Sequence, residues 1–156
     1  SIVLLDGDAL GGSTAPGWLV SLAVDPYYTA LYRVITGSDA IFRAGLKQAY
    51  GPDAPPISDA DVQRWQRPFK VAGTAQAFKP LISHGIQGWK LADLTHVHVR
   101  STVIWGAHDT TDSVSAGRAS AKALGAPFSL IPRAGHLSML TDPRLVARAI
   151  ADAATQ

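Results

Sequence analysis

The chain predicts an α/β fold, part of a mostly parallel sheet interrupted by an inserted block of helices. Three observations carry this. The runs at 2–5 (I-V-L-L), 102–105 (T-V-I-W) and 128–131 (F-S-L-I) are short and mainly apolar, as in strands covered on both faces. A helical stretch lies between the last two runs and another follows them, which is the spacing of right-handed parallel crossovers. The last two runs each stop at a loop bearing one titratable group, Asp109 and His136. Open α/β sheets bind ligands at that carboxyl edge.

Bulk properties narrow the field. The 156 residues are 47% hydrophobic and 17% charged, enough apolar side chain for a globular domain. The net charge of +2 is spread without a run of Lys or Arg, which argues against nucleic acid as a partner. There is no cysteine, so disulfides and thiolate chemistry are excluded and compartment cannot be read from redox habit. No apolar run reaches the ~20 residues of a membrane span. Location is open; the cytoplasm is favoured, and secretion stays possible if a leader precedes Ser1.

Taken in order, 2–5 reads as a strand ended by Asp6-Gly7-Asp8. Asp6 and Asp8 either cap that turn or line a site floor. From about 14 to 88 the pattern is helical. Pro16 and Pro26 each suit a first helical turn. Leu31, Val34 and Ile35 give helical spacing over 27–35. Asp39 is placed to cap a helix that buries Ile41, Phe42, Leu46 and Ala49 and stops at Gly51-Pro52. Ser58 and Asp61 form a capping-box pattern for a helix reaching Gln66. Thr74 is a candidate cap for a segment to Ile82, with a kink or break at Pro80. Beyond the 102–105 strand, Ser113 to Leu124 reads as a helix with Val114, Gly117, Ala121 and Leu124 inward and Gly125 as its stop. Asp142-Pro143 starts a final helix that buries Leu145, Val146, Ala149 and Ile150.

An acid and a histidine at neighbouring strand ends are suited to a nucleophile–base–acid triad. A neutral imidazole can take a proton from a hydroxyl and return it to a leaving group. His136 as a loop histidine near a helix start, and Asp109 as a turn-forming Asx residue, are the plainer readings. Asp112 competes with Asp109, and Asp109 is favoured. His96 and His98 alternate as metal ligands do, yet no Cys, Asp or Glu follows at ligand spacing, and no metal or other cofactor is expected. Trp18, Tyr28 and Trp65 in the helical block, and Leu137 and Met139 beside the histidine, are candidate substrate contacts; packing of the block's own core is the plainer role for its aromatics.

The words W-G-A-H-D (105–109) and G-H-L-S-M-L-T-D-P (135–143) resemble the strand-seven end and the histidine loop of the α/β-hydrolase fold. V-L-L-D (3–6) looks like that family's strand six, and the helical block looks like its lid. Arg100-Ser101 stands where a Pro is usual before strand seven. The resemblance implies that 1–12 and 91–156 are the C-terminal half of the core and that 13–90 is an inserted lid domain. It implies Asp109 as triad acid and His136 as base. The family's G-x-S-x-G elbow occurs nowhere in the sequence, and Ser1, just before a buried strand, is no substitute.

An acid–base pair without a nucleophile cannot run acyl transfer, so the expected partner is the N-terminal half of the same hydrolase, as a second chain or a segment outside this sequence. The expected function is that of the C-terminal fragment of a serine-type hydrolase acting on an ester-like small molecule. Two alternatives are a dehalogenase or epoxide hydrolase fragment whose absent nucleophile is Asp, and a non-catalytic ligand-binding member of the fold.

Overall fold

A computed structural model describes residues 1–7, 27–84 and 88–155. The chain divides into two compact units: 1–10, 47–55 and 89–156 in the first, and 11–46 with 56–88 in the second. The cut within the helical block is a finding, because 47–55 groups with the sheet.

The first unit is built on three parallel strands, β1 (Ile2–Leu5), β2 (Ser101–Gly106) and β3 (Phe128–Ile131), in the order β1-β2-β3. Leu5 pairs with Ile104, and Gly106 with Ile131. Every residue of β2 is buried. Side chains of successive strand residues point to opposite faces, so β2 feeds two cores. Val103 and Trp105 pack with Ala121 under α6 (Val114–Leu124) on one face. Ile104 packs with Ile131, Ala134 and Val146 under α8 (Pro143–Thr155) on the other. That two-sided burial is why its sequence shows no alternation. β1 is only partly covered, with Ile2 39% exposed, because it is an outer strand of this sheet rather than a fully buried one.

The caps behave as local chemistry requires. Ser113 accepts from the Ala116 N–H at the start of α6, and Gly125 ends that helix at φ 61. The Asp142 carboxylate accepts from the Leu145 N–H at the start of α8. Val146 and Ala153 are buried there, while Ile150, one turn from each, is 39% exposed. Two short helices complete the unit, α5 (Leu91–Leu94) and α7 (Ser138–Thr141).

The second unit holds α1 (Tyr27–Gly37), most of α2 (Asp39–Tyr50), α3 (Asp59–Gln66), a 3-10 turn at Arg67–Lys70 and α4 (Thr74–His84). Among the described residues Tyr28, Leu46 and Val62 are its buried apolar residues, and Tyr28, Tyr32, Phe42, Phe69 and Phe78 form a chain of tilted and edge-on ring contacts 5.4 to 6.4 Å apart. The buried positions of α1 are Tyr28 and Thr36, and Val34 is 65% exposed, so the aromatic stripe outranks the aliphatic one. The start of α2 is bonded through Ser38 rather than Asp39, and Ile41 is exposed. The Ser58–Asp61 capping box is present in full. α4 runs through Pro80, and Gly73 rather than Thr74 gives its carbonyl to the first turn. Pro16, Pro26 and Asp8 lie outside the described residues.

Two glycine substitutions should have opposite signs. An added Cβ at Gly117 would sit 2.6 Å from the ring of fully buried Trp105. Overpacking of about 1–3 kcal/mol there exceeds the roughly 1 kcal/mol of helix propensity that Ala brings, so Gly117→Ala should lose about 1 kcal/mol in urea unfolding. Gly45→Ala in α2 meets nothing within 4 Å and should gain about 0.5–1 kcal/mol.

Candidate active site

β2 and β3 are adjacent and parallel, so the loops that leave them lie side by side. Backbone bonds lace the two loops together. Ala107 N–H donates to Ile131 O at 3.0 Å, and His108 N–H donates to Ala134 O at 2.8 Å. Gly106 and Gly135 meet backbone to backbone: a Cβ on Gly106 would fall 2.0 Å from Gly135 O. Only glycine fits that approach.

This lacing brings Asp109 and His136 together. His136 Nδ1 lies 2.9 Å from Asp109 Oδ2, although 27 residues separate them in sequence. The Asp109 side chain is fully buried, and that of His136 is 30% exposed. Asp109 Oδ1 accepts from Thr111 N–H at 2.8 Å and Asp112 N–H at 3.0 Å. The carboxylate therefore forms its own Asx turn with one oxygen and holds the imidazole with the other. An acceptor at Nδ1 places the ring proton there and leaves the lone pair on Nε2. Asp112 is engaged differently, its carbonyl accepting from the Trp105 indole at 3.2 Å.

The histidine loop is also held by 49–53, at the end of α2. Gly135 N–H donates to Tyr50 O and Leu137 N–H to Ala49 O, both at 2.9 Å, so the residues on either side of His136 are fixed. Thr141 Oγ1 donates to Tyr50 O at 2.9 Å. Gly51, at φ 87, packs against Gly135, where a Cβ would approach to 2.6 Å. Arg133, in the left-handed region at φ 62, donates from Nε to both oxygens of Asp53 at 2.7 and 2.8 Å. That guanidinium holds the Asp53 carboxyl below its usual range. Gln48 Nε2 donates to Thr110 Oγ1 at 2.9 Å, which reaches the acid loop too. The sequence signalled this segment only as a helix stop, at Gly51-Pro52. The carbonyls that do the holding carry no side-chain signature.

Asp6 is the second buried acid, 2% exposed at the end of β1. Its Oδ1 accepts from Gly106 N–H at 2.7 Å and its Oδ2 from Ser138 N–H at 3.0 Å and from the Ser138 hydroxyl. Burial pushes its pKa up, against these hydrogen bonds, and the charge of Asp109 pushes the same way.

The other candidates fall in different places. Leu137 is half-buried at the head of α7, and Met139 packs on the Ile104–Val146 core. Tyr28 is 4% exposed within the second unit, its hydroxyl donating to Ala75 O at 2.8 Å. Trp65 is half-buried in that unit, and Trp18 lies outside the described residues. Leu140, next to Met139, is 48% exposed. Among the described residues no group of three or more His, Cys, Asp or Glu is placed to hold a metal. No described helix is long and apolar enough to cross a membrane.

The raised pKa of Asp6 has a signed consequence. Between the unfolded value of 3.8 and the higher folded one, the folded chain binds the extra proton. Stability from this group is then present at low pH and is lost as pH rises through the folded pKa. Melts across that window should show the wild-type chain losing ground to Asp6→Asn as pH increases; parallel curves would refute the assignment.

No family model matches the chain, and no curated protein matches it. Solved structures do. The hydrolase of 2-hydroxy-6-oxo-6-phenylhexa-2,4-dienoate from Rhodococcus sp. strain RHA1 aligns at TM-score 0.70 and 12% identity, over 99% of this chain and 54% of that one. The enol-lactonase from Burkholderia xenovorans LB400 aligns at 0.68 and 18%, over 99% and 55%. MGS-M2, an α/β hydrolase enzyme from a Medee basin deep-sea metagenome library, aligns at 0.64 and 13%, over 99% and 55%. The chain spans about half the length of these structures. With its parallel β1-β2-β3 sheet, it has the α/β-hydrolase fold and corresponds to the C-terminal half of that fold.

Proposed function

We propose that this polypeptide supplies the acid and the base of a Ser-Asp-His triad for hydrolysis of an ester-like substrate, with the nucleophile provided by residues outside this sequence. The observation that carries the reading is the 2.9 Å contact between His136 Nδ1 and Asp109 Oδ2. Asp109 holds the tautomer in which Nε2 is basic. His136 takes the proton of the attacking hydroxyl at Nε2, and Asp109 stabilises the imidazolium that results. The imidazolium then gives that proton to the leaving group. Donors for the oxyanion come, like the nucleophile, from the other half.

Two further facts support a partner half. The sequence contains no G-x-S-x-G. Among the described residues β1 and β3 are each paired on one side, and a sheet edge needs cover or a neighbour. The helical second unit is proposed as the lid, with a small molecule as the ligand it encloses. Two of the structural neighbours named above are described as hydrolases and the third as an enol-lactonase, which fits the reaction type and leaves the substrate open.

The test is complementation. The chain is combined with the N-terminal half and assayed on simple aryl esters. His136→Ala and Asp109→Asn should each lower kcat by about 10³–10⁴-fold while ligand binding, followed by fluorescence quenching of the tryptophans, is kept. Unchanged turnover in either variant would rule the assignment out. Turnover of a haloalkane or epoxide in place of an ester would move the nucleophile from Ser to Asp.

A further inference from the structure

Asp6 has no part in that mechanism, yet it is only 2% exposed. β1 leaves the sheet at this residue: Asp6 N–H makes the last ladder bond, to Ile104 O at 3.0 Å, and its φ of 49 turns the main chain away. Aspartate tolerates the left-handed region better than most side chains. Its carboxylate takes over where the main chain departs, since Oδ1 accepts the Gly106 N–H at the end of β2. That bond alone would make Asp6 a turn cap.

The other oxygen does something a turn does not require. Oδ2 accepts both the N–H and the hydroxyl of Ser138, 132 residues away. Gly106 opens the loop that carries Asp109, and Ser138 closely follows His136. Ser138 is itself fully buried. A lone buried carboxylate is costly unless its oxygens are bonded, and here three donors from two different loops converge on it. Strained backbone persists where the surroundings over-determine it, and it clusters at functional sites.

We infer that Asp6 is a positioning residue for the acid–base pair, a single carboxylate that sets the spacing of the Asp109 and His136 loops through Gly106 and Ser138. The inference deepens the proposed function and rests on it. Asp6 would touch neither substrate nor the imidazole. Its effect is on the 2.9 Å contact between His136 and Asp109.

The pair can be read directly in the full chain labelled with ¹⁵N-histidine, with His136 assigned by its loss in His136→Gln. The low-field Nδ1–H proton and the ring nitrogen shifts report the hydrogen bond to Asp109 and the tautomer it enforces. Asp6→Asn keeps the shape and replaces one acceptor oxygen by an NH2 group, which sets donor against donor on one of its two sides. It should abolish the low-field signal and leave a mixture of the two tautomers. Ser138→Ala removes only the hydroxyl and should weaken the signal in the same direction. If Asp6→Asn does not fold, Ser138→Ala decides alone. An unchanged signal in the folded variants overturns the positioning role and leaves the acid–base reading standing. A parent chain without a signal that depends on Asp109, judged against Asp109→Asn, overturns both.

Discussion

Two glycine backbones in contact govern the site. Gly106 and Gly135 approach so closely that no side chain fits between the ends of β2 and β3. The approach lets the acid loop lie on the base loop, and the backbone bonds from Ala107 and His108 then align them. Asp109 and His136 meet as a result, at a distance set by main chain rather than by their own flexible side chains. Side chains held by rigid elements keep reactive geometry better than side chains on free loops.

The surroundings reinforce that contact from two directions. On one side stands 48–53, which brackets His136 with carbonyls and reaches Thr110 through Gln48. On the other stands Asp6, which joins Gly106 to Ser138. Neither element is near Asp109 or His136 in sequence. Both put polar groups where burial makes an unpaired donor expensive, so the loops have few alternative arrangements of comparable energy.

The sheet supplies the platform. β2 is buried on both faces, with Trp105 and Val103 under α6 and Ile104 under α8. Fully burying each of these side chains is worth roughly 1.5–3 kcal/mol, and their alternation fixes the register at which Gly106 faces Ile131. A slip of one residue would exchange the two cores and carry Asp109 away from His136. The second unit is organised on its own terms, by aromatic rings packed on one another.

Much of this was legible in the residues themselves. Strand runs, the capping box at Ser58, the stop at Gly125 and the start at Asp142-Pro143 are all written in local sequence, because each depends on groups a few positions apart. Packing decided the rest. Periodicity named Ile41 and Ile150 as inward residues, but how far a helix face is covered depends on the neighbour that covers it, and both are exposed. Pro80 marks a kink or a break by its chemistry, and α4 continues through it without the break. Asp6 was visible as a turn residue, while its bond to Ser138 spans 132 positions and has no local trace. Sequence alone determined which groups were available to react, since side-chain chemistry and short-range backbone preference are properties of neighbouring residues. Tertiary structure alone decided that Asp109, the acid already favoured over Asp112, lies within 2.9 Å of the imidazole, and that 48–53 and Asp6 hold the loops, because those facts are distances between segments far apart along the chain.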